Sequence, residues 1–241
     1  MKAISDQAGT TGGNASEHAE ETRALLLDAA ERLFVERGID AVSLREIVRA
    51  AGQRNASALH YHFGSRDGVL EALIDLRMPA VNARRLALMA PVMAGRRKPA
   101  PRRLAEALIL PLAEIAEPGN EHGNWVRLAA QIYANDSIGF AAIFRRKNYD
   151  EGLRQVGLAL RRAHPGAPPL LLDQRNMLAV RQAVHALADW QRGVLTRQSG
   201  VAIISLPLFV ANLLDVTEAM LAAKFSAEAL RLAPKDDPEM P

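Results

Sequence analysis

The sequence contains no cysteine, and aromatic residues make up only 5% of its 241 residues. The absence of cysteine excludes disulfide bonds, zinc sites built from thiolates and cysteine nucleophiles. A chain without cysteine is compatible with a reducing compartment.

A long hydrophobic run is also missing. The most apolar stretch, residues 201–214, is interrupted by Ser205, Pro207 and Asn212. A membrane-spanning helix needs about 20 apolar residues, so this stretch is too short to cross a bilayer. The first 21 residues lack the apolar centre of a signal peptide. We therefore predict a cytoplasmic protein with no membrane association.

The net charge is small, at +3, with 30 basic and 27 acidic residues. Hydrophobic residues make up 49% and charged residues 24%, which is typical of a chain with enough material for one large or two modest domains. The total charge does not by itself indicate nucleic-acid binding, so that prediction depends on local clustering.

The segment 43–66 combines two helix signals with a turn between them. Ser43 and Glu46 form a Ser-x-x-Glu capping box ahead of apolar residues at helical spacing. Gly52 supplies the positive φ that lets a chain leave one helix in a tight turn. A second short helix follows at about 56–63, so the pattern predicts a helix-turn-helix.

The same segment is strongly basic, since it holds four arginines and a single acid. Its second helix presents hydroxyl and imidazole groups instead of an apolar stripe. Spacing alone fits an ordinary helical hairpin equally well. The charge and the residue types favour contact with phosphates and base edges.

The segment Thr22 to Leu73 resembles the N-terminal DNA-binding domain of tetracycline-repressor (TetR) type regulators. The resemblance rests on separate motifs in the family's order: TRALLLDAAERLF, a glycine at position 38, SLREIVRAAG and YHFGSRDGVL. One feature departs from commoner members. The step from Gly52 to the end of the recognition helix is one residue longer, and His60 stands where an aromatic is usual, with Tyr61 beside it.

This resemblance implies a homodimer whose recognition helices enter successive major grooves of double-stranded DNA at an inverted repeat. The residues that match base-contacting positions are Ser57, Ala58, His60 and Tyr61. The residues that match phosphate-contacting positions are Ser43, Arg45, His62 and Arg66. Arg54 and Asn55 lie in the lengthened turn, and their role stays undecided between base and phosphate.

The whole chain is predicted to be all-α, with an N-terminal three-helix DNA-binding domain and a larger helical domain for ligand binding and dimerisation. Residues 1–20 carry few large apolar groups and are predicted to be a disordered tail. The DNA-binding domain is predicted over 21–78, the helical domain over 79–232 and a C-terminal tail over 233–241. The expected core of the three-helix unit is Leu26, Ala30, Leu33, Phe34, Leu44, Ile47, Val48, Leu59 and Phe63.

A fourth helix is predicted from Ser65 towards Ala90, with Pro79 as a kink and a joint between the domains. Further helices are predicted over 102–117, 124–135, 138–146, 151–162, 171–197 and 202–225. The last of these is apolar nearly all round and so needs a partner on both sides. With the helix before it, this segment resembles the family's four-helix dimer interface, which predicts self-association through 171–197 and 202–225.

In the family the helical domain encloses an apolar cavity, which implies a small, apolar effector that releases a repressor from DNA. The aromatic side chains that fit such a pocket, or else an ordinary core, are Trp125, Tyr133, Phe140, Phe144, Tyr149 and Trp190. A transcriptional activator of the same fold is an alternative. So is a helical interaction protein that keeps the hairpin as scaffold.

An enzyme is the weakest interpretation. His60 and His62 are two residues apart on a helix and point to nearly opposite sides, so they cannot chelate one metal ion. Ser57 and His60 have no acidic partner nearby in the sequence for a catalytic triad. No catalytic residue, metal or cofactor is therefore expected.

Overall fold

The structure is a computed structural model, and it describes residues 11–53, 57–120, 122–135, 140–196 and 204–234. Over these ranges the chain forms helices and no strand, as the all-α prediction requires. The helices are α1 Thr11–Arg37, α2 Leu44–Ala50, α3 Ser57–Phe63, α4 Arg66–Ala94, α5 Pro101–Ala116, α6 Asn124–Ala134, α7 Phe140–Arg146, α8 Glu151–Ala163, α9 Pro169–Thr196, α10 Leu206–Ala222 and α11 Ala227–Leu232.

Helix α1 begins earlier than the sequence indicated. Residues 11–20 belong to it, so the expectation of a disordered tail is corrected for these residues, while residues 1–10 lie outside the described ranges. Adding a residue to an existing helix costs far less than starting one. Buried residues further along α1, such as Leu26 and Leu33, anchor the helix. The exposed residues Glu17 and Glu20 can therefore extend it without a core of their own.

The chain divides into two compact units, and the boundary falls between Asp75 and Leu76, inside α4. The side chain of Ser65 caps α4 by accepting a hydrogen bond from the Gly68 amide at 3.1 Å. The helix continues past Pro79 to Ala94 without a break. A proline inside a helix removes one backbone donor, and its apolar neighbours Met78 and Val81 are buried.

In the N-terminal unit, α1 packs on α2 and α3, and α2 packs on α3. Most of the predicted core is confirmed, because seven of its nine members are buried: Leu26, Ala30, Leu33, Phe34, Ile47, Val48 and Leu59. Leu44 and Phe63 are half-buried instead. The guanidinium of Arg23 lies 5.6 Å from the centre of the Phe63 ring, within the range of a cation–π contact.

In the C-terminal unit, α5 is the central helix and packs on α6, α8, α9 and α10. Helix α10 is shorter than predicted because it begins at Leu206, with Pro207 in its first turn, where a missing amide is harmless. It ends where Ala223 leaves helical geometry, with ψ at 138°. Helix α11 was not predicted, although Ser226 caps it by accepting from the Ala229 amide at 3.1 Å.

Candidate nucleic-acid interface and effector cavity

The predicted capping box at the start of α2 is confirmed. The Ser43 hydroxyl accepts a hydrogen bond from the Glu46 amide at 3.3 Å, and the Glu46 carboxylate accepts one from the Ser43 amide at 2.8 Å. The hydroxyl also donates to the same carboxylate at 2.7 Å. The Ser43 hydroxyl is thus engaged within the protein, and a phosphate contact from it requires the hydroxyl to turn.

These hydrogen bonds determine the charge of Glu46. The bonds from Ser43 and a further one from Arg37, at 2.7 Å, lower the pKa of Glu46 to about 2. The carboxylate is therefore ionised at neutral pH and forms an ion pair with Arg37 of α1. The single acid of the segment 43–66 is satisfied locally and does not neutralise the arginines of α2.

Helix α2 presents two arginines to solvent. Arg45 and Arg49 are exposed, and neither makes an ion pair or hydrogen bond with any residue in the described ranges. Residues four apart lie on the same face of a helix, so the two guanidinium groups form one basic patch. Arg45 was a predicted phosphate contact. Arg49 was counted in the basic segment without an assigned contact, and its spacing places it on the same exposed face as Arg45.

The turn after α2 needs glycine. Gly52 has φ at +69°, a region that other residues rarely adopt, and the amide of Gln53 donates back to the Val48 carbonyl at 3.0 Å. The rest of the turn, including Arg54 and Asn55, lies outside the described residues. Helix α3 starts at Ser57, but the side chains of Ser57 and Ala58 also lie outside the description.

Helix α3 separates a buried side from an exposed one. Leu59 is fully buried against the three-helix core, whereas Tyr61 is 83% exposed. The Tyr61 ring stands edge-on to the His62 ring, with their centres 5.2 Å apart. An exposed tyrosine on this helix provides a hydroxyl and a flat face for contact with bases.

His60 is exposed and its ring is oriented by the backbone. Its Nδ1 lies 2.9 Å from the carbonyl oxygen of Gly64. Because a carbonyl only accepts, Nδ1 must carry the proton and donate. In a neutral imidazole Nε2 is then an acceptor, which suits the amino groups of adenine or cytosine in the major groove.

The two remaining predicted phosphate contacts have partners within the protein. His62 is half-buried between the rings of Tyr61 and Phe63. Arg66 lies 3.8 Å from a carboxylate oxygen of Asp40. Among the predicted phosphate contacts, Arg45 is therefore the one whose charge faces solvent without a described partner.

A small cavity of about 20 Å³ lies within the C-terminal unit. Three of the six predicted pocket aromatics line it, namely Trp125, Tyr133 and Phe144. Tyr149 is not among the described lining residues, although its ring centre lies 6.1 Å from that of Phe144. A cavity of this size has room for about one water molecule.

Like Tyr149, the last two predicted pocket aromatics are absent from the described lining of the cavity. Trp190 does not line the cavity, which corrects the prediction: its ring stacks on Phe209 and its Nε1 donates to the Ile204 carbonyl at 2.9 Å. The reason is that Trp190 lies near the end of α9, beside the start of α10. The side chain of Phe140 lies outside the described residues.

The sequence interpretation missed Arg85, which also lines the cavity. This residue is only 3% exposed, and its Nε donates to the Ala107 carbonyl at 3.0 Å. Burial lowers the pKa of Arg85 to about 10, so the guanidinium remains charged at neutral pH. Burial also raises the pKa of the Tyr133 phenol, which stays protonated. No local sequence signal distinguishes Arg85 from the exposed Arg84 beside it.

Helices α9 and α10 each leave an apolar face uncovered. On α10, Leu213, Leu214 and Leu221 are buried, but Leu208 is 58% exposed. On α9, Leu178 is 60% exposed. Large apolar side chains exposed on a helix are a feature of interaction surfaces.

None of the helices in the described ranges is long and apolar enough to cross a membrane. Within the same ranges, no three histidine, aspartate or glutamate side chains cluster in a way that would hold a metal ion.

Two family models match separate parts of the chain. Residues 26–73 match the model described as bacterial regulatory proteins, tetR family. Residues 106–203 match the model described as tetracyclin repressor-like, C-terminal domain. The first covers α2 and α3, and the second covers most of the unit that contains the cavity.

Curated relatives match about a quarter of the chain. The HTH-type transcriptional regulator TtgR of Pseudomonas putida is 39% identical over 59 residues, which are 24% of this chain and 28% of TtgR. The HTH-type transcriptional regulator AcrR of Shigella flexneri is 37% identical over 60 residues, 25% of this chain and 27% of AcrR. The matches thus span little more than a quarter of the relatives' length.

Solved structures show the same fold over most of the chain. NalD, the secondary repressor of the MexAB-OprM multidrug efflux pump in Pseudomonas aeruginosa, has a TM-score of 0.54 at 18% identity, with 83% of this chain and 95% of NalD covered. The fatty acid degradation regulator FadR from Bacillus halodurans has a TM-score of 0.54 at 12% identity, with coverage of 81% and 97%.

Proposed function

Because the chain belongs to the tetR family of bacterial regulatory proteins, we propose that it is a homodimeric, sequence-specific DNA-binding repressor that acts in the cytoplasm. Regulators of this family are transcription factors and not enzymes. The observation that carries the proposal is the exposed pair Arg45 and Arg49 on α2, followed by the exposed Tyr61 on α3.

Helices α2 and α3 have different roles in DNA binding. Arg45 and Arg49 supply sequence-independent attraction to phosphates, and that part of the affinity falls as salt rises. Tyr61 and His60 on α3 contact base edges, and Ser57 and Ala58 at its start complete the set proposed from the resemblance. Contacts to phosphate fix position, whereas contacts to bases give specificity.

The uncovered faces of α9 and α10 support the dimer. Leu178 on α9 and Leu208 on α10 are large apolar side chains in contact with solvent, and a second copy of the chain would bury them. A dimer with two-fold symmetry presents two identical α3 helices. Its operator is therefore an inverted repeat with half-sites about one or more helical turns apart.

We propose that a small effector regulates this binding through the cavity in the C-terminal unit. A ligand releases DNA only if it binds better to a form that is unfit for the operator. Coupling of about 1–3 kcal/mol is typical of such linkage. Repression requires only that the operator be occupied, whereas activation needs a further surface for the transcription machinery.

Selection of bound duplexes from a random DNA pool, followed by sequencing, tests the proposal. An enriched inverted repeat, bound by two chains per duplex, is the expected result. If circular dichroism shows that the protein is folded and no sequence is enriched, the helix-turn-helix would have a scaffold role only. A reporter gene behind the selected operator then separates a repressor, which lowers expression, from an activator, which raises it.

A further inference from the structure

We propose that the effector is an apolar carboxylic acid whose carboxylate binds Arg85 in the cavity of the C-terminal unit. This inference rests on the proposed function, since it names the chemical class of the ligand that regulates DNA binding. It also assigns to Arg85 a binding role that neither the residue pattern nor the comparisons indicate.

The guanidinium of Arg85 is buried without enough partners. A guanidinium carries five N–H donors, and among the described residues the only acceptor for them is the Ala107 carbonyl, which bonds to Nε. Nη1 is shielded from solvent and has no hydrogen-bond partner in that part of the chain. A buried donor on a charged group is costly to leave unsatisfied, so Nη1 is available to an acceptor that enters the cavity.

The cavity also lacks a negative charge to balance Arg85. Its described lining is Met78, Val81, Arg85, Leu112, Trp125, Ala129, Tyr133, Phe144, Leu153, Val180 and Val184. None of these residues is acidic, and Arg85 is the single charged one among them. Burial lowers the pKa of Arg85 to about 10, so the positive charge is still present at neutral pH.

The side chain of Arg85 is held in place by its neighbours. The amide of Gly152 on α8 donates to the Asn82 side-chain oxygen at 3.0 Å, which brings α8 close to α4. A Cβ atom at position 152 would lie 2.9 Å from the Asn82 side-chain oxygen and 3.0 Å from both Cγ and Cδ of Arg85. Glycine at 152 thus gives the aliphatic part of Arg85 its space, and the bond to Ala107 fixes the guanidinium.

The shape and walls of this site select the ligand. The planar guanidinium pairs with a carboxylate through two parallel hydrogen bonds, and the aromatic and aliphatic walls suit an apolar body. The cavity of about 20 Å³ is too small for such a molecule. An acid must therefore bind a form with displaced side chains, and preference for that form is what regulation requires.

Isothermal titration calorimetry of the full chain tests the inference with octanoate and benzoate as probes, against octanamide and benzamide. The acids are expected to bind at least about tenfold more tightly than the matched amides, since charge-assisted hydrogen bonds are the stronger class. The Arg85→Met variant should lose this preference. The matched control is Arg84→Met, because Arg84 is an exposed neighbour that pairs with Glu114 at 2.9 Å; it should bind acids like the wild type.

Circular dichroism and duplex affinity establish that each variant is folded. If Arg85→Met does not fold, Gly152→Ala serves instead, because it displaces the guanidinium and should weaken acid binding while leaving amide binding unchanged.

Equal binding of acids and amides by the wild type would overturn the inference. So would the absence of acid binding by protein that still binds its selected duplex, and that result leaves the proposed function intact. If acid binding depends on Arg85 but the protein selects no duplex, the result would support the ligand site at Arg85. The same result would count against the proposed function as a DNA-binding regulator.

Discussion

The arginines proposed to bind DNA in the N-terminal unit and the arginine proposed to bind a small ligand in the C-terminal unit differ in exposure. In the N-terminal unit, Glu46 is satisfied by Ser43 and Arg37, and the unpaired charges of Arg45 and Arg49 face solvent. In the C-terminal unit, the unpaired charge of Arg85 is buried beside an apolar cavity.

The pKa shifts of Glu46 and Arg85 have different physical causes. Hydrogen bonds lower the pKa of Glu46, whereas removal from water lowers the pKa of Arg85. An exposed unpaired charge suits a large, solvated partner such as DNA, and a buried one suits a small ligand that fits inside. The exposure of Arg45 and Arg49 and the burial of Arg85 thus indicate different kinds of partner for these arginines.

The largest expected effect is on the exposed pair. The double variant Arg45→Ala/Arg49→Ala should weaken binding to every duplex alike by roughly 3 kcal/mol or more, because each hydrogen bond from a charged group contributes about 1.5–3 kcal/mol. The slope of log affinity against log salt should fall by about 2. Fluorescence anisotropy at several salt concentrations measures both. Arg231→Ala, at an exposed arginine of α11, is the control. A loss confined to one duplex sequence would contradict the phosphate role.

The next effect concerns specificity. Tyr61→Ala should relax the preference at particular base pairs by about 1–3 kcal/mol, since a base contact is lost and phosphate contacts remain. His60→Ala should act at other base pairs, but it also removes the bond to the Gly64 carbonyl, so its melting temperature must be compared with the wild type. Tyr61→Phe separates the hydroxyl from the ring. Equal weakening on operator and unrelated DNA would remove Tyr61 from the base-reading set.

In the C-terminal unit, Arg85→Met should raise the free energy of unfolding by about 1–3 kcal/mol, because it replaces an unpaired buried charge with an apolar side chain. Urea denaturation at pH 7 measures this gain. Above pH 10, Arg85 loses its proton in the folded wild type while the unfolded chain still holds it. The free energy of unfolding of the wild type therefore rises, and the advantage of the variant becomes smaller. Loss of stability in Arg85→Met would instead show that the bond to Ala107 is structural.

The smallest effect is expected at the capping box. The lowered pKa of Glu46 means that its carboxylate stabilises the folded state above its ordinary pKa, and that this contribution is lost as the pH falls towards 2. Glu46→Gln should lower the melting temperature at pH 7, and the gap from the wild type should close in acid. The exposed Glu36 of α1 offers a control in Glu36→Gln. If the difference in melting temperature between Glu46→Gln and the wild type is the same at pH 7 and in acid, the charge of Glu46 is not its cause.

The helix-turn-helix was predictable because its signals are local. The capping box, Gly52 and the burial of Leu59 depend on residues a few positions apart, and helical spacing alone fixes which side faces the core. Residues 11–20 are an exception, since their helix depends on anchoring further along α1. Helix α11 was missed although Ser226 carries a readable cap.

The cavity was only partly predictable because it depends on contacts between distant segments. Arg85 owes its environment to Ala107 on α5 and Gly152 on α8, which no local pattern links to it. Trp190 was assigned to the pocket by residue type, but the packing of Phe209 placed it elsewhere. Residue type identified candidate side chains, whereas tertiary packing decided which of them meet.

Sequence-specific binding by a symmetric dimer is tested most directly by the affinity of the wild type for the selected duplex and for two derivatives, each with one half-site scrambled. We expect two chains on the intact duplex, and an equal loss of affinity when either half-site is scrambled. The intact duplex should bind at least about 10³-fold more tightly than unrelated DNA. Equal affinity for all of these duplexes would contradict both the specificity and the symmetry of the proposed complex.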